Sequence, residues 1–396
     1  MSFASLFPTE FKGKSIDLVS PEALANFDYN DELQLKNNAI KKLVGDSNIL
    51  KELFPIVPSV YPRNYRTTSK RRVTMQNGKL YFHFGKKPQK QLVSSSNLEA
   101  VGHQEIYQAL HKFFSQKRFL AAGANLNYLI LRGSYTEFAL ILNVRSLNAS
   151  FVRSYRSCTE EIQKLFPAVS SVFTYLDETG SDYYLEAERP INQVAFKKLA
   201  GPANLALKLG SKKFLYPAES FSQVNESILP TVLKVLDEEI PENVHLLDLY
   251  CGYGLFTLAL GDKLLSSWGA ELSSQSIQAA KSNAAYHYKD KPFHFEKNFI
   301  NADLLKSKLP FPKGKKEYII LDPPRKGCAP EVLETLIARR SAKILHLFCG
   351  ANEIMPALKI YQSNGCKIEK LIPFDFFPGS LNIEMLAIIT PPNKNK

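Results

Sequence analysis

From about residue 205 onward, short apolar runs alternate with longer segments in which apolar positions recur at helical spacing. Segments such as 273–288 and 330–340 have that helical spacing and separate the runs. Repeated alternation of this kind predicts a parallel, doubly wound sheet with helices on both faces. Ligands of such sheets bind at the carboxyl ends of the strands, so the residues after each run are candidates for function. The runs are residues 244–250, 267–272, 318–324, 344–349 and 384–390.

The preceding part of the chain has a different pattern. A helix is predicted at 103–118, followed by two apolar runs, 126–131 and 138–144, separated by a short polar turn. Two such runs predict a β-hairpin. A helix near 155–166 and short strands around 170–187 follow, so this part is expected to be α+β. We therefore expect an α/β protein with three regions, at residues 1–102, 103–204 and 205–396.

Length, charge and cysteine content narrow the class of protein. The chain of 396 residues suits two or three domains of roughly 100–200 residues each. It carries 50 Lys and Arg against 38 Asp and Glu, and this excess favours nucleic acid over an anionic membrane as partner. No apolar run reaches the ~18 residues of a membrane span, and no signal peptide is recognisable. The five cysteines form no Cys-x-x-Cys pair, which argues against a disulfide framework or a zinc ribbon. We expect a monomeric cytoplasmic protein.

Residues 61–90 contain nine basic residues, no acidic residue, and several interspersed aromatic residues. Basic and aromatic side chains together are typical of proteins that bind phosphates and stack on unpaired bases. The first region is therefore expected to contact RNA, through Arg66, Arg71 and Arg72 in particular. A strand pair with a solvated basic face is the alternative. The nine basic residues are Arg63, Arg66, Lys70, Arg71, Arg72, Lys79, Lys86, Lys87 and Lys90.

A candidate cofactor site follows the first apolar run of the third region. Gly252 and Gly254 allow a sharp turn close to a ligand, but Thr257 replaces the third glycine of the dinucleotide fingerprint, which argues against NAD. Glu271 ends the second run, 19 residues after Gly252, where an acid can accept the hydroxyls of a ribose. This pattern is typical of S-adenosylmethionine binding. Asp303, after a probable third strand, is expected to meet the adenine amino group.

Two further strand ends carry candidate chemistry. Amino-group methyltransferases often place an aromatic residue after an Asp-Pro-Pro sequence, but Arg325 follows Asp322-Pro-Pro here, which argues against base amino methylation. Cys349 ends the run at 344–349, and Glu384 begins a run expected to be central and buried. A thiolate beside an acid can act as a nucleophile. Taken singly, this cysteine could be a small core residue, and Glu384 could pair with a nearby cation.

Residues 214–389 resemble the RNA (uracil-5-)-methyltransferase family through six motifs in order. The N-terminal half resembles the family more loosely, through Pro62-Arg-Asn-Tyr65-Arg66 and the predicted hairpin. The resemblance implies a class I (Rossmann-like) S-adenosylmethionine-dependent catalytic domain at 205–396. The six motifs are Phe221-Ser-Gln223-Val-Asn225, Leu247-Asp-Leu-Tyr250-Cys-Gly252, Gly269-Ala-Glu271, Asp322-Pro-Pro-Arg325-Lys-Gly327, Phe348-Cys349, and Phe377-Pro378 through Glu384.

The resemblance also implies roles for individual residues. Cys349 would attack carbon 6 of uracil, which makes carbon 5 nucleophilic, and Glu384 would remove the proton from carbon 5. The product would be 5-methyluridine in tRNA or ribosomal RNA. The implied cofactor-binding residues are Gln223, Tyr250, Glu271 and Asp322, joined by Asp303 and the glycine turn.

Some positions depart from the family pattern. Gly350-Ala351 stands where Asn-Pro is usual, Leu255 where a small polar residue is common, and Asn382 where a His is common. No cysteine precedes Cys158, so the iron–sulfur cluster of some members is not expected.

Two other functions stay open. One is an RNA 5-methylcytidine methyltransferase, although Arg325 stands where those enzymes typically carry a cysteine. The other is a non-catalytic RNA-binding module on the same fold, which the departures permit and the presence of both Cys349 and Glu384 argues against.

Overall fold

The computed structural model describes residues 2–45, 52–85, 90–180, 196–307 and 316–392. Its strands are β1 (Glu10–Phe11), β2 (Lys14–Ser15), β3 (Thr68–Gln76), β4 (Lys79–His83), β5 (Leu126–Gly133), β6 (Phe138–Val144), β7 (Val169–Leu176), β8 (Phe196–Ala200), β9 (Asn204–Leu209), β10 (Lys212–Pro217), β11 (Val244–Leu249), β12 (Leu264–Glu271), β13 (Phe293–Lys297), β14 (Glu317–Leu321), β15 (Lys343–Phe348), β16 (Lys367–Phe374) and β17 (Glu384–Thr390). Its α-helices are α1 (Tyr29–Val44), α2 (His103–Phe114), α3 (Leu120–Ala124), α4 (Ala149–Leu165), α5 (Leu229–Glu239), α6 (Leu255–Ala259), α7 (Ser274–His287), α8 (Ala302–Lys306), α9 (Pro330–Ala338) and α10 (Ala351–Ser363).

The chain forms two compact units that differ from the three expected regions. One, here called the Rossmann unit, comprises Met1–Pro62, Leu209–Phe214 and Ser227–Lys396. The other, here called the basic unit, comprises Arg63–Lys208 and Leu215–Glu226. The expected boundary at residue 102 does not separate the units.

Backbone pairing explains where the chain divides. Residues near the N-terminus join the Rossmann unit because Leu53 and Val57 form isolated bridges with Leu371 and Phe374. The basic stretch joins the middle region because β3 pairs with β5 in one sheet. The basic stretch and the predicted hairpin are therefore parts of one folded body.

The Rossmann unit contains a seven-stranded sheet in the order β13-β12-β11-β14-β15-β17-β16. Strands β11 to β15 are parallel, whereas β17 runs antiparallel to both of its neighbours. Each apolar run predicted in this region forms a strand, and the predicted Rossmann-like fold is confirmed. Phe348 lies opposite Met385 in the β15–β17 register. The antiparallel direction of β17 therefore places its first residue, Glu384, at the edge where β15 ends.

The basic unit is built on a six-stranded sheet in the order β4-β3-β5-β6-β7-β8. The predicted hairpin is confirmed as β5 and β6, whose residues are all buried. The helix predicted at 103–118 is α2, which begins at His103 and ends earlier than expected, at Phe114. The helix predicted near 155–166 begins earlier, where Asn148 accepts the N–H of Phe151 and caps α4. The strands predicted up to residue 187 extend past 180 into residues outside the described ranges.

The helix α1 was not recognised in the sequence. Asp28 caps its first turn by accepting the N–H of Asn30. Its Lys36 is fully buried and donates to Glu32, to Asp375 at 2.7 Å and to the carbonyl of Phe377. Because buried ions are costly unless paired, this network fixes the loop that leads to β17.

None of the helices in the described ranges is long and apolar enough to cross a membrane.

Candidate active site

A sharp turn leads from β11 into α6. Three of its residues have positive φ angles: Tyr250 at 64°, Gly252 at 54° and Gly254 at 83°. A Cβ atom at Gly254 would lie 3.1–3.3 Å from side chains of the surrounding helices and of β13, so this position suits only glycine. A Cβ atom at Gly252 would meet no atom within 4 Å, and the role of the two glycines in cofactor binding stays a prediction.

Asp248, inside β11, is the acid nearest to this turn in the chain. It is fully buried, and its Oδ2 accepts from Thr257 Oγ1 at 2.6 Å and from the Thr257 N–H at 3.3 Å. Its Oδ1 is buried without a hydrogen-bond partner. Burial raises the pKa of Asp248 to about 6, partly offset by the Thr257 hydrogen bonds. Thr257 stands where a third glycine would be, and its two hydrogen bonds hold the carboxylate of Asp248 in place.

Glu271 ends β12 as predicted, and its Oε1 accepts the N–H of Ser273 at 2.9 Å. Asp303 lies in the first turn of α8 with its side chain exposed. Gln223 is buried but belongs to the basic unit. The roles implied for Asp303 and Gln223 stay predictions.

The nucleophile candidate lies at the carboxyl edge of the Rossmann sheet. Cys349 follows β15, and Asp322 is the first residue after β14. The Sγ of Cys349 donates to Asp322 Oδ1 at 3.0 Å. Glu384 is 3% exposed, and its carboxyl group is close enough to raise the pKa of the same thiol. Its Oε2 is buried without a hydrogen-bond partner. The structure thus brings together the three residues that the sequence placed at separate strand ends.

This cluster holds its protons strongly. Burial raises the pKa of Glu384 well above its usual value, and the charge of Asp322 adds to this while Arg325 opposes it. Burial also raises the pKa of Asp322 to about 7. The pKa of the Cys349 thiol is raised well above its usual value by burial and then by the two carboxylates. The resting site therefore contains a thiol, which must lose its proton before Cys349 can attack.

Glu353, in the first turn of α10, belongs to the same site and was missed in the sequence. Its Oε1 accepts the N–H of Gly350 at 2.9 Å, and its Oε2 is buried without a hydrogen-bond partner. Burial raises the pKa of Glu353 to about 7. A Glu three residues after an N-cap is half of a capping box, a signal that the sequence does contain.

Arg71 is not available to RNA, which corrects the prediction for this residue. It is fully buried, and its guanidinium donates to both carboxylate oxygens of Glu99, at 2.6 and 2.7 Å, and to the carbonyl of Ser94. Its guanidinium also lies 4.1 Å from the ring centre of Phe84 and 4.4 Å from that of Tyr107. Residues 61–90 contain no acid, but Glu99, the counter-ion of Arg71, lies nine positions after residue 90.

Arg66 and Arg72 are half-buried rather than enclosed. The guanidinium of Arg72 lies 5.5 Å from the ring centre of Tyr128, and the exposed Lys70 shares that ring at 5.2 Å. Lys86 and Lys87 lie outside the described residues. The RNA contacts of Arg66 and Arg72 stay predictions.

Comparisons with known proteins match this architecture. A family model described as tRNA (uracil-5-)-methyltransferase matches residues 202–291. An uncharacterised RNA methyltransferase of Oceanobacillus iheyensis is 24% identical, with 93% of this chain and 80% of that protein covered. A second, from Bacillus cereus, is also 24% identical, with the same coverage of 93% and 80%. In fold, the chain is similar to the Pyrococcus abyssi tRNA (uracil-54, C5)-methyltransferase in complex with S-adenosyl-L-homocysteine, with a TM-score of 0.69, 17% identity, and 95% and 87% of the chains covered.

The Rossmann sheet and these matches indicate an RNA methyltransferase. Over residues 202–291 the chain is similar to the tRNA (uracil-5-)-methyltransferase family, and over most of its length it is similar to proteins named RNA methyltransferases. The family resemblance expected from the sequence is confirmed by the family model and by the relatives.

Proposed function

We propose that the protein forms 5-methyluridine in tRNA or ribosomal RNA through a covalent adduct between Cys349 and carbon 6 of uracil. One observation carries this proposal: Cys349 Sγ donates to Asp322 Oδ1 at 3.0 Å, and the buried carboxyl of Glu384 is close enough to raise the pKa of the same thiol. A neutral amino nitrogen would need no thiol for its methylation. A thiol between two acids suits the activation of a pyrimidine carbon.

The electron balance assigns a role to each residue. The Cys349 thiolate forms a bond to carbon 6, and the electrons of the 5,6 double bond move to give an enolate. Carbon 5 then gains a methyl group and still bears its proton. Glu384, in its ionised form, removes that proton, the double bond re-forms, and the thiolate is expelled.

The thiol proton needs an acceptor before the first step. Asp322 accepts the hydrogen bond of the thiol at 3.0 Å, and burial raises the pKa of this acid to about 7. A base with a pKa near the working pH is suited to exchanging a proton with a weakly acidic group. Asp322 is therefore assigned the role of proton acceptor for Cys349.

The residues at the open end of β11 fit the cofactor. The free Oδ1 of Asp248 is an acceptor for a polar group, the glycine turn leaves room for close approach, and Glu271 ends β12 where ribose hydroxyls bind. S-adenosylmethionine, when bound, supplies the methyl group as an electrophilic sulfonium. Tyr250 and Glu271 would hold it, and Asp303 and Gln223 are proposed to contribute.

RNA binding is assigned to the basic unit, with Arg66 and Arg72 as contacts and with Arg71 as their internal support. A target base stacked within an RNA helix must leave its stack to reach the half-buried thiol of Cys349, because the helix encloses the reacting carbon. We propose that the protein acts as a monomer in the cytoplasm.

Nucleoside mass spectrometry tests the proposal. Unmodified tRNA and ribosomal RNA are incubated separately with S-adenosylmethionine and either the wild type or Cys349→Ala. We expect 5-methyluridine in one RNA fraction with the wild type and none with the variant. New 5-methylcytidine, or no methylated pyrimidine while RNA and cofactor still bind, would overturn it and favour one of the two alternatives.

A further inference from the structure

Glu353 is bound to the backbone of the residue that carries the nucleophile. Its carboxylate accepts the N–H of Gly350 at 2.9 Å and also hydrogen-bonds the N–H of Cys349. Free N–H groups at the start of a helix stabilise a nearby anion. Glu353 occupies the N–H of Gly350, the N-cap residue of α10, so this donor does not stabilise a thiolate at Cys349.

The same side chain also contacts the turn that follows Asp322. Gly327, at the end of that turn, has a φ of +71°, and a Cβ atom there would lie 2.2 Å from Glu353 Oε2. A Cβ atom at Gly350 would lie 2.9 Å from the carbonyl oxygen of Arg325. Two glycines therefore allow the two turns to approach each other with Glu353 between them.

The charges around the thiol are mostly negative. Asp322, Glu384 and Glu353 each raise the pKa of Cys349, in addition to the effect of burial. Arg325 is the cation that acts on this cluster, through Glu384. The titratable and charged groups that face the thiol and Glu353 are Asp322 after β14, Arg325 and Cys328 in the next turn, Tyr250 after β11, and Glu384 in β17.

We propose that Glu353 is a positioning residue that holds the Cys349 turn against the Asp322 turn and restrains the loss of the thiol proton in the resting enzyme. This inference rests on the proposed role of Cys349. A carboxylate so placed keeps the nucleophile in its unreactive form while it fixes the nucleophile's backbone. Removal of its charge should make Cys349 easier to ionise.

The test measures Cys349 directly and needs neither RNA nor turnover. The full chain is alkylated with iodoacetamide over a range of pH, and modification of the Cys349 peptide is followed by mass spectrometry. Glu353→Gln keeps an acceptor for the Gly350 N–H but removes the charge. We expect its alkylation profile to shift to lower pH by roughly half to one unit, a roughly 3- to 10-fold faster reaction at fixed pH.

Glu334→Gln, an exposed acid on α9, makes the same change of charge and should leave the profile unchanged. Glu353→Ala should shift the profile in the same direction as Glu353→Gln, so the prediction survives if one variant fails to fold. An unshifted profile in the folded variants would overturn the role of Glu353. A shifted profile with no methylation by the wild type would instead refute the proposed function alone.

Discussion

Each of the two units buries charged side chains, and they do so differently. In the basic unit, Arg71 is matched by both oxygens of Glu99 and by the Ser94 carbonyl. In the Rossmann unit, Glu384 is buried and Asp322 half-buried beside a thiol, and one oxygen of Glu384 has no hydrogen-bond partner.

The difference distinguishes a buried ion pair that stabilises the fold from buried acids that are suited to proton transfer. A buried ion that is fully paired holds a fold in one arrangement, and removal of its partner is costly. A buried acid without a cation holds a proton at an unusual pKa, which is what proton transfer requires. Basic composition directed attention to Arg71 as an RNA contact, but its pairing shows that it supports the sheet. The comparison predicts opposite outcomes for substitutions in the two clusters.

The largest effect is expected for Glu384→Gln. Loss of the base should lower methyl transfer turnover by about 10²–10⁴-fold and let the covalent RNA adduct accumulate, since carbon 5 keeps its proton. The adduct is measured as a protein–RNA band that survives denaturation. The matched control is Glu317→Gln, a buried acid paired with Arg339, which should destabilise the unit without trapping RNA. Normal turnover with no trapped RNA in Glu384→Gln would remove Glu384 from the mechanism.

The pH dependence of the stability of Glu384→Gln is a second test of this comparison. Below a pH of about 4.5, the usual pKa of a glutamic acid, the carboxyl is protonated in both folded and unfolded chains. Above it, the unfolded chain releases the proton but the folded chain retains it, because burial raises the pKa of Glu384. The wild type should therefore lose stability as pH rises, and Glu384→Gln should lose less, by about 1 kcal/mol or more near pH 7. Urea unfolding at several pH values tests this, and an unchanged pH dependence would contradict it.

Arg71→Ala should act in the opposite way. Removal of the cation leaves Glu99 buried without its counter-ion, so the free energy of unfolding should fall by about 3–5 kcal/mol. Arg72→Ala, a neighbouring change on the same strand, should cost less than about 1 kcal/mol. Urea denaturation compares the two. Equal losses would mean that the Arg71–Glu99 pair carries no special structural weight.

The smallest effect concerns the surface of the basic unit. Arg66→Ala with Arg72→Ala should weaken RNA binding and reduce the slope of log affinity against log salt by at most about two. The control pair is Lys281→Ala with Lys289→Ala, two exposed residues of the Rossmann unit. Filter binding at several salt concentrations measures the slopes. If the control pair changes the slope more, the RNA contacts lie elsewhere.

The sequence was sufficient to predict those candidate residues that lie at the ends of strands. Cys349 and Asp322 each follow a parallel strand, and strand ends of one sheet lie at a common edge. Glu384 joined them because a charged residue opening a buried strand stands out in the sequence. These local patterns fixed the Rossmann-like fold and the central part of the candidate site.

The rest depended on partners distant in the chain. Arg71 looked exposed because Glu99, its partner, is 28 positions away. Lys36 pairs with Asp375 across 339 positions, and no local pattern announces such a contact. Glu353 was missed for another reason. The sequence shows that it lies three residues after Gly350, but its position beside Cys349 depends on the close approach of the turns that contain Gly327 and Gly350.

The pairing of residues near the N-terminus with the far end of the Rossmann unit has a consequence for biosynthesis. The ribosome releases Leu53, Val57 and Lys36 long before it makes Leu371, Phe374 and Asp375, their partners. The basic unit is synthesised between these two events, and domains generally fold as units while the chain emerges. We therefore expect the basic unit to fold first, before the residues near the N-terminus have their partners. The Rossmann unit is then completed only when β16 and β17 leave the exit tunnel.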